Sequence, residues 1–304
     1  MLFDRIEMLF YIFPMKKQVI VSLFIILFVL LIYISYNHFN IEISLIFFMA
    51  GLIAGGIFIF DKYSKLHSKL EGIEKKVIDK IKTENVDLFY QFQSYIYLQD
   101  LIKPQLPLPK MRGWAASPDY LSLITEIIID KKPMKIVEAG SGVSTLVMAH
   151  VLASFNDLNG SIISLDHEEK YARKTIEMLE KHNLKKNVNV YHCGIKKYEF
   201  RGDDFLWYDM KTVKNIENID LLIIDGPPAL DWFDGEIKKY SRYGALPLLY
   251  NKLNHGAIIL LDDASRKKEK AIVNDWLTLY GDLQAEFIET EKGAHLIKKG
   301  SLSG

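Results

Sequence analysis

Four aspartates in this chain close short apolar runs, and a glutamate stands just ahead of a pair of glycines. Asp166 ends the run at 162–166, Asp225 ends 221–225, and Asp262 and Asp263 follow 257–261. Carboxylates gathered at strand ends can accept hydrogen bonds from sugar hydroxyls, take a proton, or hold a hard cation such as Mg²⁺ or Ca²⁺. Asp225 and the Asp262-Asp263 pair fall at the ends of neighbouring strands, so the three are expected to converge on a small volume. Ahead of them, Glu138-Ala139-Gly140-Ser141-Gly142 follows the β-rich Lys135-Ile136-Val137 and leads into a helical pattern over 144–152. A strand that ends in a glycine turn lets backbone N–H groups and a helix N-terminus approach a ligand closely.

The elements that must position these groups are legible as a series. Short apolar runs at 135–137, 162–166, 188–191, 221–225 and 257–262 alternate with helical patterns, the signature of a doubly wound α/β domain with its acids at the carboxyl ends of the strands. Ser117 as N-cap, Pro118 at the first helical position and Asp119 beside the dipole predict a helix to about Asp130, with Leu121, Ile124 and Ile128 inward. Arg112 and Trp114 precede it, as a staple for the linker or a lid over a ligand. Segments 285–289 and 295–299 flank Lys292-Gly293 and predict a terminal hairpin. Trp207 and Tyr208 are expected in a loop after the third strand, and Trp232 and Phe233 after the Gly226-Pro227-Pro228 turn. All four are expected to pack in the core or wall an acceptor pocket.

The amino-terminal third reads differently. Residues 19–36 contain no charge, and residues 41–60 carry only Glu42. Each run is close to the roughly 20 apolar residues that cross a hydrocarbon core of about 30 Å. With only Asn37-His38-Phe39-Asn40 between them, residues 1–60 predict a transmembrane hairpin. Arg5, Lys16 and Lys17 before it and Lys62, Lys65, Lys69, Lys75 and Lys76 after it put both ends in the cytoplasm, making an integral membrane protein with a cytoplasmic catalytic domain. Residues 61–104 form a helical stalk, with Leu66, Leu70, Ile73, Val77 and Ile81 at three- and four-residue steps. Copies of the chain could self-associate through it, although the a/d register lasts only about two heptads. Phe89, Phe92, Tyr95 and Tyr97 add aromatic area, and Pro104, Pro107 and Pro109 end the helix. Residues 105–304 then form the globular domain.

Composition narrows the function. Lys+Arg and Asp+Glu both number 38, so no basic field recommends nucleic acid as a partner. Cys193 is the only cysteine, which rules out an internal disulfide. The sequence has no Gly-x4-Gly-Lys-Ser/Thr loop of a nucleotide hydrolase and no Gly-x-Ser-x-Gly elbow. A dinucleotide fingerprint wants a third glycine where Thr145 stands, while Asp166 would suit the ribose of either cofactor class.

Taken together the motifs resemble a known family. Glu138-Ala139-Gly140-Ser141-Gly142 resembles motif I of the class I S-adenosylmethionine-dependent methyltransferases, and Ser164-Leu165-Asp166-His167 is similar to their second-strand acidic motif. Leu222-Ile223-Ile224-Asp225-Gly226-Pro227-Pro228, Arg242-Tyr243-Gly244-Ala245-Leu246-Pro247-Leu248-Leu249, Leu260-Leu261-Asp262-Asp263-Ala264-Ser265-Arg266 and the lead-in Arg112-Gly113-Trp114-Ala115-Ala116-Ser117-Pro118 resemble a bacterial and archaeal subgroup that acts on small molecules. The resemblance spans residues 105–298, leaving the hairpin outside it.

The resemblance implies a mostly parallel, Rossmann-like seven-stranded sheet with an antiparallel last strand, and S-adenosylmethionine as cofactor. Gly140, Ser141, Gly142, Ser144 and Asp225 would contribute to its site, with Glu138 buttressing the loop. Asp166 would accept from the ribose hydroxyls, His167 would lie near the adenine, and Cys193-Gly194 would meet the adenine through the main chain. The metal-dependent catechol type implies more: Asp225, Asp262 and Asp263 would hold a divalent ion such as Mg²⁺, with Asp263 standing where that type has Asn. Its lysine general base has no counterpart, because the position is Pro228, which leaves Asp225, Asp263, His255 and His295 as candidates. The expected product is a methylated oxygen on a small-molecule, glycan or lipid-linked acceptor made at the membrane. An NAD-type oxidoreductase and a membrane-anchored module that binds the cofactor without catalysis remain as alternatives.

Overall fold

In the computed structural model the described residues are 26, 28–34, 36–38, 41–213, 216–228 and 239–300. The chain divides into two compact units, Met1–Thr83 and Glu84–Gly304.

One helix, α1 (Ile41–Ile102, 62 residues), begins in the first unit and ends in the second. The expected second span, 41–60, and the expected stalk from residue 61 lie on this one helix. No proline interrupts 41–103, and the apolar and the Lys/Glu-rich halves are both good helix formers. Its apolar window has a mean hydropathy of 2.5 and is 6% buried. Among the described residues it is the one helix long and apolar enough to cross a bilayer. Phe28–His38 is a shorter apolar helix. The Phe28 ring occupies the space beside Gly51 that a side chain there would need, 1.9 Å from an ideal Cβ. Most of the first expected span, with Arg5, Lys16 and Lys17, lies outside the described residues. The stripe from Leu66 to Ile81 is exposed throughout.

From Glu84 onward α1 packs on the second unit through Gln91, Leu98 and Ile102, all buried. Phe89 and Phe92 are exposed, and Tyr95 and Tyr97 are more than a third exposed. After α1 come α2 (Pro118–Lys131), β1 (Lys135–Ala139), α3 (Val143–Ser154), β2 (Ser161–Asp166), α4 (Glu169–Lys181) and β3 (Val188–His192). A hairpin of β4 (Ile195–Phe200) and β5 (Asp203–Tyr208) precedes β6 (Ile219–Ile224), α5 (Ala245–Leu249), β7 (Leu253–Leu261), α6 (Lys267–Leu279), β8 (Leu283–Ile288) and β9 (Ala294–Lys299).

Seven strands form one sheet in the order β3-β2-β1-β6-β7-β9-β8. β9 runs antiparallel between β7 and β8, and the other six share one direction. Successive strand residues point to opposite faces. Thus Ile136, Leu221, Ile223, Ile258 and Leu260 join a core with α2 and α3. Val137, Ala139, Leu222, Ile224, Ile259 and Leu261 join a second core on the other face, with α6 and the β4–β5 hairpin. Leu121, Ile124 and Ile128 are fully buried, as the helix pattern requires.

Trp207 and Tyr208 are on a strand rather than in a loop, and both are fully buried. The hairpin turns at Arg201-Gly202, both with positive φ (53° and 82°). It packs on the segment 241–249, where an ideal Cβ on Gly244 would sit 2.7 Å from Phe205 and 2.9 Å from Trp207. Trp207→Ala empties the centre of this contact and is expected to cost about 3–5 kcal/mol, read as a lower urea midpoint with far-ultraviolet circular dichroism retained in the native baseline.

Candidate active site

The site begins where β1 runs out. Gly140 adopts φ 104°, and an ideal Cβ on it would lie 3.2 Å from the Asp225 carbonyl carbon and the Gly226 nitrogen. Only glycine meets both conditions. The Gly140 N–H donates to the Leu165 carbonyl at 2.8 Å, so the bend is pinned to β2. Thr145, at the third-glycine position of a dinucleotide fingerprint, has its own task. Its hydroxyl accepts from the Gly142 N–H at 3.0 Å and donates to Glu138. Ser164 donates to the same Glu138 oxygen at 2.6 Å, and the other oxygen has no partner. Burial raises the Glu138 carboxyl to about 7 while the Ser144, Ser164 and Thr145 hydroxyls pull it back down. Glu138 therefore braces the bend from beneath, through Thr145 and Ser164.

Asp166, at the end of β2, closes the bend from the other side. Its carboxylate accepts from the Ser141 hydroxyl at 2.6 Å, the Ser141 N–H at 3.3 Å and the Glu168 N–H at 3.0 Å. His167 Nδ1 lies 3.7 Å from it, on a half-buried ring. The Cys193 N–H donates to the Asp166 carbonyl at 2.7 Å, which brings the Cys193-Gly194 main chain alongside. The thiol is buried and pushed up to about 12, so it is inert. Gly194 has nothing within 4 Å of an ideal Cβ.

The strand-end acids do converge. One oxygen from each of Asp225, Asp262 and Asp263 lies within 4.8 Å of the others. A guanidinium the motif reading left without a role stands among them. Arg242 Nη2 donates to Asp263 Oδ2 at 2.7 Å, the Asp225 carbonyl at 3.0 Å and Asp225 Oδ1 at 3.3 Å, and Nη1 donates to the Asp262 carbonyl at 2.8 Å. Arg266 Nη1 reaches the same Asp263 oxygen at 2.8 Å. Among the described residues, both Asp262 oxygens and Asp263 Oδ1 are buried without a partner. Burial, then the charges of Asp225 and Asp263, push the Asp262 carboxyl well up. Burial also raises Asp225, with Arg242 opposing it. The donor chemistry suits a hard cation, but two of the three carboxylates are already committed to guanidinium groups. A divalent ion there would share Asp225 and Asp263 with guanidinium groups, while both Asp262 oxygens are free of them.

The two histidine candidates do not join this cluster. His255 is exposed near the start of β7, and seven residues of strand at roughly 3.3 Å each put it on the order of 20 Å from Asp262. His295 pairs with Leu261 across the sheet and meets Phe287 edge-on at 5.5 Å. Among the described residues no hydrogen bond or ion pair links it to the acids. Trp232 and Phe233 lie outside the described residues. Arg112 does staple the linker, to Asp87 at 3.0 Å and Glu291 at 2.9 Å, whereas Trp114 is 95% exposed and staples nothing.

Tyr120, which the motifs do not single out, and Tyr208, an expected core or pocket residue, both come to the site. Each has a buried hydroxyl with no partner among the described residues. Tyr208 lies under the bend, its hydroxyl 2.4 Å from an ideal Cβ on Gly226, and the acids acting on the Tyr120 hydroxyl are chiefly Asp262 and Asp225. The signal available for Arg242 was a charge within the apolar run Tyr243 to Leu249, which demands an internal partner.

Residues 137–264 match the family model of a methyltransferase domain, from within β1 to just past Asp263. The matched segment holds the Gly140 bend, Asp166 and all three acids of the Asp225–Asp262–Asp263 cluster. Similar solved structures include a methyltransferase from Podospora anserina bound to SAH (15% identity, 72% of this chain and 96% of that one, TM-score 0.49). An O-methyltransferase from Bacillus cereus in complex with SAH matches at 16% identity over 71% of this chain and 97% of that one, TM-score 0.47. The O-methyltransferase TomG from Streptomyces achromogenes, involved in tomaymycin synthesis and in complex with SAM, matches at 13% over 71% and 96%, TM-score 0.46. No curated protein matches the sequence.

Glu138 yields a pH test. Its folded value of about 7 exceeds the ordinary 4.5, so the folded state binds the extra proton between them. Stability therefore falls as pH rises through that window and stays low above it, by about 3 kcal/mol for a shift of that size. Glu138→Gln keeps the shape without the charge, and its melting temperature is expected to lose this decline between pH 5 and 8 in ligand-free protein.

Proposed function

We propose that the second unit transfers the methyl group of S-adenosylmethionine to an oxygen of a small-molecule, glycan or lipid-linked acceptor at the cytoplasmic face of a membrane. The observation that carries this is the Gly140 bend, whose backbone comes against Asp225-Gly226 with Asp166 at the adjacent strand end. Gly140, Ser141, Gly142 and Ser144 would take the methionine part, Asp166 the ribose hydroxyls, and His167 with the Cys193-Gly194 main chain the adenine. The acceptor oxygen attacks the sulfonium methyl in line. A C–O bond forms, the C–S bond breaks, and S-adenosylhomocysteine leaves as a neutral thioether. The acceptor's proton goes to a carboxylate at the strand ends. Asp225 is the best placed, because it is part-exposed while Asp262 and Asp263 are sealed in.

Purified protein is expected to bind S-adenosylmethionine and not NAD in calorimetry, and to release S-adenosylhomocysteine when given cell extract. Asp166→Ala is expected to weaken that binding by roughly 10-fold, the scale of losing one charge-assisted hydrogen-bond site. Heat with NAD alone would return the oxidoreductase reading, and binding without turnover would leave a cofactor-binding module.

The membrane location rests on residues 41–60 of α1, which are apolar and exposed, and on the lysines that follow. A chain tethered there meets acceptors that are lipid-linked or made at the membrane, such as surface-glycan precursors. Deleting residues 1–60 is expected to leave cofactor binding intact while cells lose most of the methylated product, followed as a 14-dalton mass increment. Equal product in the two strains would remove the tether from the proposal.

A further inference from the structure

We infer that Arg242 is the resident cation of the Asp225–Asp262–Asp263 cluster, so that methyl transfer here proceeds without a bound divalent ion and Arg242 serves as a positioning residue for Asp225. The inference rests on the methyltransferase reading for its reaction and on this chain's own contacts for its geometry. Arg242 is 5% exposed, and its guanidinium lies against all three acids at once, through two carboxylates and two main-chain carbonyls. A buried guanidinium is not left in an apolar layer without a task. Its seat is built: Tyr243 packs edge-on to Phe205 at 5.6 Å, and the Trp276 indole N–H donates to the Tyr243 carbonyl at 3.0 Å.

The same contacts compete with a metal. A Mg²⁺ or Ca²⁺ ion sits about 2.0–2.6 Å from its carboxylate oxygens. Bound to Asp225 Oδ1 or Asp263 Oδ2, it would share an oxygen that Arg242 Nη2 holds at 3.3 or 2.7 Å. Two cations would then lie within about 5 Å of each other in a buried site, where charges are poorly screened. Arg266 adds a second guanidinium on Asp263. In the catechol type an Asn stands where this chain has Asp263. The additional carboxylate and the buried arginine answer each other through the 2.7 Å contact of Arg242 Nη2 with Asp263 Oδ2. Arg242 also holds the main-chain carbonyls of Asp225 and Asp262, just past β6 and β7, together with Asp225 Oδ1, so the setting of the Asp225 side chain depends on it.

The test reads metal binding apart from turnover. Full-length protein in detergent would be titrated with MnCl₂ and MgCl₂ by calorimetry and Mn²⁺ paramagnetic resonance, with turnover measured with and without EDTA. Wild type and Arg242→Lys are expected to bind no stoichiometric ion below roughly 1 mM, and wild-type turnover is expected to be unchanged by EDTA. Arg242→Gln frees the carboxylates and is expected to gain one Mn²⁺ site at least ~10-fold tighter than any in wild type, with metal raising its melting temperature. A purely structural arginine would show no such gain. One Mn²⁺ per wild-type chain at micromolar concentration, or EDTA-sensitive turnover restored by Mg²⁺, would overturn the inference. So would a folded Arg242→Gln protein with wild-type metal affinity. Should that variant fail to fold, the wild-type and Arg242→Lys titrations still decide. Absence of S-adenosylhomocysteine from every sample would count against the methyltransferase reading alone.

Discussion

The site depends on how closely two strand ends approach each other. β1 is flanked by β2 on one side and β6 on the other, so the winding of the sheet reverses there and leaves a crevice beyond the carboxyl ends. What keeps the crevice from closing over or drifting apart is main chain against main chain. Gly140, at φ 104°, meets Asp225 and Gly226 so closely that a side chain would have to push them apart, while its N–H is tied to Leu165 on β2. Three strands are thus fixed at one bend. The hydroxyls of Thr145, Ser164 and Ser141 then fill in around it, each bonded to a carboxylate that would otherwise be buried bare.

Burying that much negative charge creates the second constraint. Glu138, Asp166, Asp262 and Asp263 are all nearly or fully sealed from water, and Asp225 is only part-exposed. A carboxylate taken out of water is stable only when paired, hydrogen-bonded or protonated. The chain uses each route. Asp166 is held by N–H and O–H donors, Asp263 is paired with two arginines, and Glu138 and Asp262 are driven toward their neutral forms. Asp225, which has one oxygen near Arg242 at 3.3 Å, is the part-exposed carboxylate of the cluster, and its main chain lies against the bend.

Much of this was legible in the residues. The parallel order of strands and the glycine bend follow from apolar runs ending in Gly or Asp, because a buried parallel strand has no polar face to show. The acid cluster was legible for the same reason. The β4–β5 hairpin was missed, although Ile195, Tyr198 and Phe200 with Arg201-Gly202 carry the signal. Its strands are antiparallel and half-polar, so they do not look like the others, and Trp207 and Tyr208 were assigned to a loop on that account. His255 was misplaced because spacing along the sequence says little about which end of a strand a residue occupies. Arg242 was visible but unassigned: an arginine inside an apolar run signals an internal partner, yet only the three-dimensional structure says which carboxylates provide it.

The hairpin also shows how a segment outside the main sheet serves the site. β5 ends in Trp207 and Tyr208, whose rings meet edge-on at 5.1 Å. Trp207 turns into the core against Gly244, two residues from Arg242, and Tyr208 turns toward Gly226 beneath the bend. One strand end therefore braces both the segment that carries the guanidinium and the loop that carries Asp225. Glycine is needed at 226 and 244 because aromatic groups of this hairpin fill the space beside them. The separation between Arg242 and Asp225 is consequently set by packed rings on one side and the β6–β7 ladder on the other. Such a contact is hard to stretch, which is what holding one carboxylate in a fixed direction requires.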